Sequence, residues 1–136
     1  MFAWLKNLLP KTDTGARGER QAAAHLQKKN YRIIARNWRN PRDRRDELDL
    51  VCLDAEILVF VEVKTRSFRD LVSGYHAVNA RKKTVLLRAA KTYLRLLDKP
   101  PPSYRLDIIE VTTRDKLPPE IRHYENVPLF PKNYRL

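Results

Sequence analysis

The chain has 136 residues, 43% of them hydrophobic, which is enough to close one core and too little for two domains with separate interiors. Its 28 Lys and Arg against 16 Asp and Glu give a formal charge of +12, which calls for an anionic partner: nucleic acid first, then a ribosome or an acidic membrane surface. The single cysteine, Cys52, excludes an internal disulfide, and the lack of a Cys/His cluster excludes a structural zinc; both fit a reducing cytoplasm.

The opening MFAWLKNLLP is apolar, but Lys6 interrupts it, no basic stretch precedes it and no small-residue cleavage site follows. It therefore reads as neither signal peptide nor membrane span. Residues 1–13 are taken as an extension, a short amphipathic turn docked on the domain or a weak anchor to a membrane or partner. Residues 14–127 form one domain and 128–136 a tail.

Asp13 or Thr14 can cap a predicted helix running to about Asn30, with Ala16, Glu19, Ala22 or Ala23, and Leu26 on its inward stripe. A carboxylate thus interrupts an otherwise apolar face. Tyr31 to Trp38 reads as a strand, followed by a polar, basic loop from Asn40 to Asp46. Leu48 to Leu53 and Ile57 to Lys64 form a predicted antiparallel hairpin across Asp54-Ala55-Glu56. The second run, ILVFVEVK, is apolar on both faces and belongs in the middle of a covered sheet. Asn79 can cap a helix to about Leu97, with Val85 or Leu86, Ala89 or Ala90, Tyr93 and Leu97 at helical spacing. Arg81, Lys82 and Lys83 then oppose the macrodipole in its first turn, a poor arrangement unless an anion sits nearby. After the rigid connector Lys99-Pro100-Pro101-Pro102, Tyr104 to Val111 is a strand and Arg122 to Val127 a short last one. Helix, three strands, helix and one or two strands make an α/β protein with a central mixed sheet flanked by helices.

Three ionisable residues sit in the most apolar part of the chain: Asp49 in ELDL, and Glu62 and Lys64 in VEVK. A symmetric turn about Ala55-Glu56 sets Leu53 opposite Leu58, Val51 opposite Phe60 and Asp49 opposite Glu62. Glu62 and Lys64, two apart on one strand, share a face. Facing carboxylates destabilise a sheet unless a cation or proton lies between them, and hard oxygen ligands select Mg²⁺ or Mn²⁺. Such an ion polarises a phosphate and activates water, while Lys64 orients or deprotonates the nucleophile or neutralises developing charge. The plainer reading makes Glu62 and Lys64 a solvated pair at a strand end, with Asp49 bonded to a loop.

The order Asp, then thirteen residues on Glu-x-Lys, on a hairpin in this pattern of elements resembles the PD-(D/E)xK, restriction-endonuclease-like superfamily. More closely, the chain resembles the bacterial YraN family of predicted endonucleases, which is similar to archaeal Holliday-junction resolvases. Gly18-Glu19, Arg36-Asn37, ELDL, FVEVKTR, Gly74, Lys82, Ala90 and Arg105-Leu106-Asp107 carry the resemblance. It implies Asp49, Glu62 and Glu19 as metal ligands, Lys64 as the catalytic lysine, Glu19 as an accessory acid and Lys82 as a phosphate contact. The family pattern has Gly before its Glu-x-Asp element where this chain has Asp46, which leaves Glu47 a second-tier candidate at the edge of the site. Resolvase-like relatives also imply a two-fold homodimer for cutting two strands.

Arg36, Arg39, Arg42, Arg44 and Arg45, with Tyr31 and Trp38 interleaved, suit backbone contacts to nucleic acid, DNA ahead of RNA; Arg66 extends the set. A basic loop merely solvated is the plainer reading. Two other functions compete with cleavage of branched or single-stranded DNA. One is a non-cleaving nucleic-acid-binding module in DNA recombination or uptake, the other a structural or ribosome-associated basic protein.

Overall fold

The computed structural model describes residues 13–69 and 80–130. The apolar opening segment, Gly74, Asn79 and residues 131–136 lie outside the described residues.

The first helix, α1 (Asp13–Lys28), is closed by a two-bond C-terminal cap. Tyr31 N donates to Leu26 O at 2.9 Å and Asn30 N to Gln27 O at 3.0 Å, with Asn30 at φ 66°. Three strands follow, β1 (Arg32–Asn40), β2 (Asp43–Asp54) and β3 (Ile57–Ser67), then α2 (Ala80–Leu96), β4 (Ser103–Arg114) and β5 (Leu117–Val127). The five strands form one sheet in sequence order; β3 and β4 are parallel and every other pair is antiparallel.

The apolar β3 takes the middle place that its sequence demands. Val59 and Val61 face α1, where Ala22, Ala23 and Leu26 pack on them together with Leu50, Cys52, Ile109 and Val111. Leu58 and Phe60 face the other way, against Leu86, Ala89, Ala90 and Leu94 of α2. Each helix thus buries its small-residue stripe on one side of the sheet, which gives the α/β, restriction-endonuclease-like core expected from the order of elements. Among the described residues no helix is long and apolar enough to cross a membrane.

The stretch Asn40 to Asp46 is not a loop. Only Pro41 and Arg42 form the turn, and β2 begins at Asp43. Charge signalled a loop, but a hairpin at a sheet edge can send alternate charged side chains to water, so charge does not exclude a strand there. Local bonds also hold the strand: Arg45 pairs with Asp43 at 2.8 Å, and Arg39 Nη1 donates to Arg44 O at 3.0 Å. The last strand begins at Leu117, five residues before the expected Arg122, because β5 is an edge strand where Pro118 and Pro119 are tolerated.

Candidate functional site

The β2–β3 hairpin has the expected register, with Leu53 opposite Leu58 and Val51 opposite Phe60. Its backbone ladder ends at Leu50 opposite Val61, one pair short of Asp49 and Glu62. There the Asp49 side chain takes over: its Oδ2 accepts a hydrogen bond from Val63 N at 2.9 Å. Asp49 therefore sits in the fork where β2 leaves β3.

Glu19 and Glu47 join it. Each of the three carboxylates places an oxygen within 4.8 Å of the other two, close enough for the three to share one hard cation. Glu19 reaches the fork because α1 lies close on β3. A Cβ at Gly18 would collide with Thr65 Oγ1, so only glycine lets the helix approach this near. Glu47 is held from behind by Arg39, whose Nη2 lies 3.4 Å from Glu47 Oε2.

Glu62 stands beside this trio rather than in it. It is 3% exposed, and Lys64 Nζ and Lys82 Nζ each lie 3.3 Å from its Oε1. Burial, and then the Asp49 carboxylate, push its pKa up to about 7 against the pull of both lysines. Burial works against the charge of Lys82, yet Glu62 and Asp49 hold its pKa above the ordinary lysine value. The unfavourable positive charge in the first turn of α2 thus has an anion facing it, as the sequence required.

The expected nucleic-acid contacts fall into three groups. Arg36, Arg42, Arg44 and Arg45 are exposed on or beside the β1–β2 hairpin. Arg39 is turned inward to Glu47. Arg66 follows Glu62 and Lys64 along β3, and its Nη1 is buried without a hydrogen-bond partner among the described residues.

Sequence reasoning missed two arrangements. Asp46, fully buried, is clamped by Arg88 of α2, which donates from Nε and Nη2 at 2.6, 2.8 and 3.0 Å. The Asp in place of Gly was the available signal, but its partner lies 42 residues away. The second is a buried network around Asp107, which accepts from Arg105 Nε at 2.9 Å and Asn126 N at 2.9 Å and bonds His123 Nε2 at 2.8 Å. Burial opposes the Asp107 charge, yet these bonds hold its pKa below the usual carboxylate value. Arg105 also bonds Tyr31 and Asp54, so the Arg105-Leu106-Asp107 motif ties β4 to β5, to the β2–β3 turn and to the segment after α1. Charges at alternate positions of an apolar strand were its visible sign.

Residues 18–111 match the family model described as "Uncharacterised protein family UPF0102". The chain is 38% identical over 113 residues to a UPF0102 protein of Chlorobium phaeobacteroides, covering 83% of this chain and 87% of that one. It is 46% identical over 97 residues to one of Symbiobacterium thermophilum, covering 71% and 80%. It is 44% identical over 101 residues to one of Nitratidesulfovibrio vulgaris, covering 74% and 73%. The matched span contains Gly18, Glu19, Glu47, Asp49, Glu62, Lys64 and Lys82, and the chain belongs to the UPF0102, or YraN, family.

Proposed function

We propose that this protein is a metal-dependent endonuclease that hydrolyses phosphodiester bonds in nucleic acid, DNA ahead of RNA. The observation that carries the reading is the cluster of Glu19, Glu47 and Asp49 oxygens within 4.8 Å of one another, beside a buried Glu62 bracketed by two lysines. Three carboxylates this close repel one another unless a cation lies among them, and an all-oxygen donor set fits Mg²⁺ or Mn²⁺.

When bound, that ion supplies Lewis-acid polarisation of the scissile phosphate and acidifies water. The chain's own groups do the rest. Asp49 is oriented for the role by its bond from Val63 N, and Glu47 by Arg39. Lys64 and Lys82 place two positive charges at the site's edge, where they neutralise charge developing on a phosphate. Glu62 holds both amines in position, with Lys64 Nζ and Lys82 Nζ each 3.3 Å from its Oε1. Arg66 and the exposed arginines of the β1–β2 hairpin supply backbone contacts that carry no sequence code. Cutting both strands of a duplex would take two such sites, and hence a two-fold homodimer.

The test is a cleavage screen with branched, flapped and single-stranded DNA in Mg²⁺ or Mn²⁺. Glu62→Ala and Lys64→Ala, shown folded by circular dichroism, are expected to lose about 10²–10³-fold or more in rate. Glu47→Gln is expected to weaken Mn²⁺ binding about tenfold or more in a direct titration. Equal and negligible cleavage by wild type and variants with either metal refutes catalysis. Salt-sensitive DNA binding that survives in all of them would then identify a non-cleaving binding module.

A further inference from the structure

The segment of β2 ahead of the carboxylate cluster and the length of α2 lie side by side and run in opposite directions. Lys82 meets Glu62 at one end, Arg88 clamps Asp46 in the middle, and at the far end Thr92, Arg95 and Leu96 face Asn40, Pro41 and Arg42. These six residues line a groove of about 350 Å³ between the β1–β2 turn and the last turn of α2.

Charge in this groove is one-sided. Arg42 and Arg95 are the charged residues of its lining, and the two carboxylates at the start of β2 are paired with arginines, Asp43 with Arg45 and Asp46 with Arg88. Arg42 and Arg95 are both exposed, and Arg95 also offsets the partial negative charge of the terminal carbonyls of α2. The groove is also joined to the site. Asn40 Nδ2 lies 3.4 Å from Asp46 Oδ2, Asp46 adjoins Glu47, and Thr92 Oγ1 donates to Arg88 O at 3.0 Å.

Two rulers place it. From Asp43 to Asp49 is six residues of strand, about 20 Å. From Lys82 to Arg95 is thirteen residues of helix, also about 20 Å. At roughly 3.4 Å of duplex axis per base step, that distance is about six base pairs. We propose that the Arg42–Arg95 groove is a distal nucleic-acid subsite, holding a backbone phosphate of a duplex arm about six base pairs from the phosphate at the carboxylate cluster. The inference rests on the reading of that cluster as the phosphodiester site. A duplex is favoured over a single strand because its stiffness holds two phosphates at this separation, so the second contact adds affinity without ordering a flexible chain.

The experiment measures binding of DNA stems of about 4, 8 and 16 base pairs, closed by a hairpin loop, in EDTA over a range of salt. Wild type is compared with Arg42→Ala/Arg95→Ala and with Arg114→Ala/Lys116→Ala at the β4–β5 turn. The groove variant is expected to lose about tenfold or more on the two longer stems, with a salt slope lower by about 1–2, and nothing on the shortest. The turn variant is expected to lose little at any length. A loss equal on all stems, no loss at all, or a loss matched by the turn variant overturns the proposal. So does a lower melting temperature for Arg95→Ala with unchanged length dependence, because Arg95 then serves only its helix. Binding without divalent ions separates this result from the nuclease reading: length-dependent binding in EDTA together with no cleavage in Mg²⁺ or Mn²⁺ retains the groove and removes the enzyme.

Discussion

Replacing either partner of the Asp46–Arg88 pair should give unequal losses, because the two side chains are unequally buried. Asp46 is fully buried, whereas the Arg88 side chain is 52% exposed. Arg88→Ala strands a buried carboxylate whose remaining side-chain donor is Asn40 Nδ2 at 3.4 Å. Leaving a buried charge uncompensated costs about 3–5 kcal/mol. Asp46→Ala instead removes the group that had to be desolvated and lets Arg88 turn to water, so the loss is the net worth of charged hydrogen bonds, about 1.5–3 kcal/mol. For a chain of this length each kcal/mol moves the melting temperature by roughly 3–4 °C. Arg88→Ala should therefore melt roughly 10–20 °C below wild type and Asp46→Ala roughly 5–12 °C below. Urea and thermal melts followed by circular dichroism measure both, with an unchanged urea slope confirming that stability alone has moved. Adding Asp46→Asn to Arg88→Ala should recover part of the loss, since it removes the stranded charge. Equal single-variant losses, or a double variant in which the losses simply add, would refute the argument.

Gly18→Ala should destabilise the protein by about 1–3 kcal/mol, because the new methyl collides with Thr65 Oγ1 and pushes α1 off β3. Thr65→Ala in the same chain should restore most of it in a denaturant melt; no rescue would mean that another contact sets the helix position. His25 carries the pH prediction. Its Nε2 is buried without a partner among the described residues, and burial, then the charges of His123, Lys29 and Lys28, lower its pKa below 6.5. The unfolded chain then takes up a proton that the folded chain refuses. This contribution to stability is complete above the unfolded value and is lost as pH falls below it through the lowered folded value. His25→Gln should flatten the dependence of melting temperature on pH between about 5 and 7, and an unchanged slope would assign that dependence to other groups.

Much of this protein is written locally. The doubly apolar β3 demands the centre of a sheet, the small-residue stripes of α1 and α2 demand one sheet face each, and the spacing across Ala55-Glu56 sets the register up to Leu50 and Val61. Even the basic first turn of α2 announced a facing anion, and Glu62 supplies it. Periodicity, however, reports the direction of a side chain within its own element and says nothing about the distance to the next element. Tertiary packing alone decided that Glu47 stands with Glu19 and Asp49 while Glu62 turns to two lysines. It also decided that the charged run after Asn40 continues as the start of β2, paired with β1, that Asp46 answers Arg88 from 42 residues away, and that Arg42 and Arg95 flank one groove. Each depends on how closely a helix seats on the sheet, which the summed packing of both cores determines and no single segment encodes.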